Sequence, residues 1–510
     1  MNSVIDDLRL ETSNFELVYR RNAKEDRFEL RLRSKSGGKH FAVHTHFSLL
    51  DDDDRILSTE IITRDVAEFI FEHFEERGDT ASFNIYRSDL ANKRLTRNRT
   101  PNSIRPEDVR HRITVAENSF TATGAKLAHH WPIFEKFRET GYGSIIRATM
   151  TLHQVCSSHC HYCSTIARNR KDAISLQEAT EFVDALYDEQ AAYNRDHFAA
   201  FNERYKSATG SDIRLRGLIL SGGGQPNLWP YFESFVAWLG SRNIDLGLIT
   251  NGFPKNISEG TYEKFKWVRI SVTPEDASPH YPKKRFDLQY LPSSLVKNPA
   301  ITVGYSYVYG PWTNDDVLLR INDSIEQNGF EYCRLLTDCN LTRGAQLRAH
   351  AALAERLFRL GFVALDGKPT GKFFHQLKYH GTREEAESLW DDGQCYLQAY
   401  NVFWDTTGHE TNGYSYCYAC DSITVLAEEA TTVSVNVSER RFNHEKWGTV
   451  TNRDVRRLFT EPVTPFFDPR SVCSACLFMR NNREVKELVG RRLDNSGVSE
   501  FVPLKHVNFP

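Results

Sequence analysis

The chain has 510 residues, 40% of them hydrophobic and 26% charged, with a formal net charge of −3; this is the composition of a soluble globular protein of roughly two to four domains. So even a charge balance excludes a general nucleic-acid binder and a polybasic membrane-surface protein, and no run approaches the roughly 18 apolar residues of a spanning helix. The opening MNSVIDDLRLET lacks a basic stretch followed by an apolar one, so a cytoplasmic protein is expected.

Residues 1–140 read as an α+β segment. RFELRLRS and KHFAVHTHFSLL alternate like strands about a KSGG turn. RDVAEFIFEHFEER follows, with Val66, Phe69, Ile70 and Phe74 at helical spacing. The basic run RSDLANKRLTRNRTPNSIRPEDVRHR then reads as a solvated loop or linker, since only Tyr86 stands beside it to stack a base. No function is legible in this part of the chain.

From residue 148 strands and helices alternate. ATMTLHQ is strand-like, and SLQEATEFVDALYDEQ opens with a capping box from Ser175 to Glu178. Short apolar runs follow at GLILS (217–221), LGLIT (246–250), WVRISV (267–272), ITVGYSYV (301–308) and EYCRLL (331–336). Between and after them lie the helical stretches LWPYFESFVAWLG, SEGTYEKFK, LPSSLVKN, NDDVLLRINDSIEQNG and GAQLRAHAALAERLFRLG. In the fourth of these, Asn314 is the expected N-cap and Gly329 the C-cap. Six strand–helix units in series predict an α/β fold whose parallel sheet is covered by helices. Ligands in such folds sit at the C-terminal ends of the strands. No internal repeat or low-complexity segment interrupts the chain.

The ten cysteines are unevenly placed: none precedes Cys156. Cys156, Cys160 and Cys163 form a C-x3-C-x2-C loop directly after the first strand of the series. Clustered cysteines in a cytosolic chain read first as metal or cluster ligands rather than disulfides. Three thiolates can hold three irons of a [4Fe–4S] cube and leave the fourth open to a small molecule. A zinc site completed by His159 or His161 is the alternative that the spacing leaves open.

The loop, with Tyr162 before its last cysteine, resembles that of the radical S-adenosylmethionine (radical SAM) enzymes. The resemblance covers roughly 145–365 and implies a partial (β/α)6 barrel. It further implies that the open iron chelates the amino and carboxylate groups of S-adenosylmethionine. One electron then releases a 5′-deoxyadenosyl radical, which removes hydrogen from a substrate. LSGGGQPNL, with Ser221, Gly222, Gly223, Gly224 and Gln225, is similar to the family segment that binds the amino group, but Gln225 stands where Glu is common. Gln still accepts a hydrogen bond, without charge. Thr250 and Asn251 at the end of LITNG, and Arg269 and Ser271 in VRISV, are similar to segments that contact ribose or carboxylate. Ordinary buried strand ends would look the same. Gly304 and Tyr305 lie where the family packs adenine.

Five more cysteines follow: Cys395, Cys417, Cys420, Cys473 and Cys476. NVFWDTTGHETNGYSYC reads as a hairpin. Two C-x2-C pairs alone suit a zinc ribbon as well as an iron–sulfur cluster. With Cys395, the pattern resembles the twitch or SPASM extension of radical SAM enzymes. That resemblance implies an auxiliary [4Fe–4S] cluster on Cys395, Cys417, Cys473 and Cys476, with Cys420 as an alternative ligand or a catalytic thiol. The full SPASM pattern has more cysteines, so the shorter twitch form is expected. Cys333 reads as a small apolar core residue.

The expected organisation is an N-terminal α+β domain (1–140), a radical SAM core (145–365) and a cysteine-rich auxiliary-cluster domain (366–510). The first is compatible with a leader-peptide-binding winged helix. The expected partners are a small-molecule or peptide substrate and an electron donor such as flavodoxin or ferredoxin, with no nucleic acid and no membrane. The overall outcome would be oxidation, cross-linking, epimerisation or rearrangement. A zinc-stabilised binding or scaffold protein is the competing reading.

Overall fold

The computed structural model describes residues 7–11, 15–22, 27–34, 40–44, 46–50, 56–61, 103–104, 123–158, 160, 162–163, 165, 168–252, 257–272, 298–338, 341, 343–362, 371–376, 392–420, 450–463, 469, 478–490, 492–493 and 505–510. The helix expected in RDVAEFIFEHFEER, most of LPSSLVKN, and His159, His161, Cys339, Cys473 and Cys476 lie outside the described residues. Among the described residues no helix is long and apolar enough to cross a membrane.

Two compact units divide the chain. The first comprises Met1–Pro101, Arg110–Asn118 and Ala351–Gly371; the second comprises Asn102–Val109, Ser119–His350 and Lys372–Pro510. In the first, β1 (Asp7–Glu11), β2 (Phe15–Asn22), β3 (Arg27–Ser34) and β4 (His40–His44) form an antiparallel sheet in chain order. A hairpin of β5 (His46–Leu50) and β6 (Ile56–Ile61) follows. The alternating sequence of β3 suits a strand with two unlike faces.

The second unit opens with β7 (Ser103–Ile104) and is built on one large sheet. Its strands are β8 (Arg147–Thr151), β9 (Gly217–Ser221), β10 (Asp245–Thr250), β11 (Phe265–Val272), β12 (Thr302–Tyr309), β13 (Tyr332–Thr337), β14 (Phe373–Gln376), β15 (Asn401–Asp405), β16 (Tyr416–Tyr418) and β17 (Val450–Thr451). They lie in the order β14-β13-β12-β11-β10-β9-β8-β15-β16-β17. Every neighbouring pair from β14 to β15 is parallel, whereas β15–β16 and β16–β17 are antiparallel. β7 pairs separately with β18 (Arg492–Leu493).

β8 to β13 fall where ATMTLHQ and the five apolar runs predicted strands. The sheet then extends past both ends of that series, with β14 beside β13 and β15 beside β8. Among the described residues it is a mostly parallel α/β sheet with β14 and β17 at its edges, in keeping with the expected partial barrel. The expected hairpin is β15–β16, with Trp404 opposite Cys417. Local helix signals also hold. Ser175 and Glu178 form a reciprocal capping box, and Asn314 caps the helix Asp315–Asn328, which ends on left-handed Gly329.

The two faces of the sheet differ in β12. Tyr305, Tyr307 and Tyr309 point to the helix-covered side, where their hydroxyls bond Ser324, Thr313 and His350. Cys333, paired with Tyr305, is fully buried, and burial pushes its thiol well above the ordinary value. The opposite face carries Arg147, Ile219, Trp267 and Arg269. The last residues of the chain fill its lower end. Phe509 packs edge-on to Trp267 at 5.5 Å, beside Ile219. Arg147 donates to the main-chain oxygen of Pro510 at 2.5 Å, and Asn508 donates to Asp245 at 2.8 Å. Gly217 is required there, because a Cβ would lie 2.2 Å from the Asn508 carbonyl oxygen.

Candidate functional site

The cysteine loop is closed at its base by main-chain bonds. Beyond β8, Gln154 N donates to Asp172 O at 2.9 Å and Ile174 N to Leu152 O at 3.1 Å. The intervening chain is thereby looped out at the C-terminal end of the first parallel strand. The glycine segment after β9 docks onto this base: Gly224 N donates to His153 O at 3.2 Å, and Gln225 N to Val155 O at 2.7 Å. The close approach needs glycine. A Cβ on Gly223 would lie 1.7 Å from Gln154 Oε1, and one on Gly224 would lie 2.2 Å from Val155 O. Gly223 and Gly224 therefore fit the cysteine loop itself.

Cys156, Cys160 and Cys163 are each partly exposed, and none of the described cysteines is in a disulfide. Cys163 N donates to Cys160 O at 3.0 Å, and Ser158 N to Cys156 Sγ at 3.4 Å. Asn251, at the end of β10, reaches the same loop. Its Nδ2 lies 3.1 Å from Ser157 Oγ, 2.9 Å from Ser158 Oγ and 3.9 Å from Cys156 Sγ. Gln225 is buried and ties two strand ends together: its Nε2 donates to Thr250 Oγ1, and its Oε1 accepts from Asn251 N at 2.8 Å. A glutamate could accept in this way but not donate.

Arg269 and Ser271 alternate with Ile270, which pairs with Tyr305. They therefore lie on the face opposite the helix Asp315–Asn328, and Ser221 joins them at the end of β9. Arg269 Nε donates to Tyr332 OH at 3.3 Å. Gly304, paired with Arg269, makes room for the Tyr332 ring, which a Cβ would approach to 2.5 Å. Tyr305 is not brought to this face: its ring meets Phe330 edge-on at 4.9 Å, on the helix side. Tyr162 stacks on Trp312 at 6.2 Å with 12° between the planes.

Four residues at the site were not anticipated from the sequence: Trp312, Arg168, Gln154 and Asp172. Trp312 had a signal, a lone aromatic just past a strand in GPWTND. Arg168 binds Cys163 Sγ at 3.3 Å and Gly223 O at 2.9 Å. Gln154 and Asp172 join the loop to the C-terminal hairpin. Gln154 Nε2 donates to the hydroxyls of Thr406 at 3.1 Å and Thr407 at 3.2 Å. The Asp172 carboxylate accepts from Gly408 N at 2.8 Å and Glu410 N at 2.9 Å.

In the C-terminal group, Cys395 is buried just before the turn Tyr396–Ala399. Its Sγ lies 3.7 Å from Asn482 Oδ1, on the helix Met479–Gly490 that begins three residues past Cys476. Burial pushes the Cys395 thiol up to about 11 and raises that of Cys417 as well, the Asp454 carboxylate adding to the latter. Cys420 is partly exposed. Among the described residues no three Cys, His, Asp or Glu side chains gather around a single ion site.

No family model matches the chain, and no curated protein matches its sequence. Solved structures similar to it include SuiB of Streptococcus suis bound to the precursor peptide SuiA, at 11% identity and a TM-score of 0.40, over 97% of this chain and 100% of that one. Archaeal TYW1 matches at 15% identity and a TM-score of 0.27, over 44% of this chain and 75% of its own. BtrN in complex with AdoMet and 2-DOIA matches at 11% and 0.26, over 69% and 94%.

Proposed function

We propose that this chain is a radical SAM enzyme, with a [4Fe–4S] cluster on Cys156, Cys160 and Cys163 that binds S-adenosylmethionine, acting on a small molecule or a peptide. The observation that carries the reading is the cysteine loop. It leaves the C-terminal end of β8, with the glycine segment of β9 and Asn251 of β10 bonded against it. Ligands of parallel sheets bind at that end. The donor set fits the group: three partly exposed thiols on one short loop are soft ligands suited to an iron–sulfur cluster.

When bound, cluster and S-adenosylmethionine supply a 5′-deoxyadenosyl radical that abstracts hydrogen from substrate. The chain's own residues bind and orient. Arg269 and Ser271, on the same face as Ser221, are the candidates for ribose and carboxylate contacts. Asn251 borders the cysteine loop. Gln225 is the candidate for the amino-group contact, through its side-chain carbonyl oxygen. Tyr162 and Trp312 offer a flat aromatic surface beside the loop. An auxiliary [4Fe–4S] cluster on Cys395, Cys417, Cys473 and Cys476 completes the reading, with Cys420 as an alternative ligand. Its support is Cys395 packed against the first turn of the helix that follows Cys476. Flavodoxin or ferredoxin would supply the electron.

Protein purified without oxygen should be brown and carry roughly eight irons per chain, as two four-iron clusters require. With S-adenosylmethionine and dithionite it should form 5′-deoxyadenosine, and Cys160→Ala should not. Colourless protein holding about two zinc ions would favour the zinc-stabilised scaffold instead.

A further inference from the structure

We propose that Arg168 is a positioning residue for the first cluster: it holds the cysteine loop in shape and sets a permanent positive charge against a ligating sulfur, which raises the cluster's reduction potential. The inference rests on the radical SAM reading above. Its warrant is the place of the guanidinium. Nη1 lies 3.3 Å from Cys163 Sγ, 3.0 Å from Thr165 Oγ1, 3.1 Å from Thr165 O and 2.9 Å from Gly223 O. Nη2 lies 3.2 Å from Ser158 O. One planar group thus touches the early part of the loop, its last cysteine and the glycine segment after β9. Thr165 tightens the same knot, donating to Gly223 O at 3.0 Å and lying 3.3 Å from Cys163 Sγ.

These partners are carbonyls, a hydroxyl and a sulfur. Among the described residues no carboxylate neutralises the guanidinium. Arginine is charged at every accessible pH, and its rigid fork serves several acceptors at once. A lysine would keep the charge but not that geometry. Reduction adds one electron to a [4Fe–4S] cluster, taking its core from 2+ to 1+ and making its sulfurs more negative. An N–H donor and a nearby positive charge stabilise that reduced state more than the oxidised one. Removing them should lower the potential.

The test is a reductive titration of the cluster-loaded protein, with dithionite as electron source and no S-adenosylmethionine, read by electron paramagnetic resonance. R168Q removes the charge, R168K keeps it without the fork, and C156A/C160A/C163A supplies the auxiliary signal for subtraction. We expect a lower potential in R168Q than in wild type, a value between them in R168K, and an unmoved auxiliary signal. A wild-type potential in R168Q carrying its full iron would overturn the role of Arg168 and leave the family reading standing. Should R168Q lose the cluster, R168K decides: a cluster lost with the fork, or kept below the wild-type potential, supports the role of Arg168, and a cluster kept in full at the wild-type potential overturns it. Wild-type protein with no signal beyond that of C156A/C160A/C163A would overturn the parent reading together with this one.

Discussion

Gly223 lies so close to Gln154 that a Cβ at this position would stand 1.7 Å from Gln154 Oε1. Gln154 cannot simply swing away, because its amide nitrogen is bonded to Thr406 and Thr407. Gly223→Ala should therefore overpack the base of the cysteine loop, at about 1–3 kcal/mol. Iron analysis should show the loss of about four of eight irons. Shortening the obstacle, in Gly223→Ala with Gln154→Ala, should restore part of that iron. No recovery would mean that the clash is not what expels the cluster.

Gln225 donates to Thr250 and accepts from Asn251. Thr250 Oγ1 also accepts from Gly252 N at 3.0 Å. Gln225→Glu places a carboxylate where a donor is in use, in a buried position. We expect about 1–3 kcal/mol of destabilisation, seen as a lower melting temperature, and tighter binding of S-adenosylmethionine in calorimetry. Unchanged affinity would remove Gln225 from the amino-group contact.

The Asp172 carboxylate receives two main-chain N–H groups from the turn that joins β15 to β16. Asp172→Ala leaves both donors without their charged acceptor, costing roughly 2–3 kcal/mol. Hydrogen exchange at Gly408 and Glu410 should accelerate in this variant, and Asp172→Asn should behave as an intermediate. Protection equal to wild type in Asp172→Ala would show that the turn is held by other contacts.

The proposed auxiliary site can be tested by iron counting. Cys395→Ala and Cys417→Ala should each reduce roughly eight irons toward four, whereas Cys420→Ala should retain them. Iron lost from the Cys395 and Cys420 variants but kept in Cys417→Ala would make Cys420 the ligand in place of Cys417.

Lys136 is fully buried, with Nζ donating to Gly143 O, Ser144 Oγ and Asn194 Oδ1. Burial lowers its pKa to about 7. The unfolded chain keeps the ordinary value, so between that value and about 7 the unfolded state holds more protons. Stability should rise with pH across this window, by about 1 kcal/mol per unit, and be flat below it with respect to this group. Denaturation midpoints at several pH values should show the slope, and Lys136→Met should remove it.

The parts of the fold that were legible in the sequence are those set by local patterning. GLILS is β9 residue for residue, and the caps at Ser175 and Asn314 form as their spacing demands. The side of each strand was less legible. VGYSYV is buried on both faces, so hydropathy does not separate them. The clue is size: Gly304 and Ser306 leave room on one face, while the tyrosines reach helix-side partners on the other. Tyr305, expected at an adenine contact, is one of these helix-side tyrosines. Asp172 and Arg168 were invisible for another reason. Their partners are main-chain atoms and a sulfur brought near only by closure of the loop, and Asp172 meets a turn more than 200 residues away. β15 likewise joins β8 across most of the unit, a pairing that no local window contains.

Residues 505–510 reach Arg147, Asp245, Trp267 and Thr302, on β8, β10, β11 and β12. The contact with Arg147 spans 363 positions of sequence. Such non-local closure is slow, and during synthesis it has to wait for the last-made partner. The sheet can pair its strands as they emerge from the ribosome, but it cannot seal its lower end until both cysteine groups have already been made. The lower end of the sheet is therefore closed by residues made after every strand they touch.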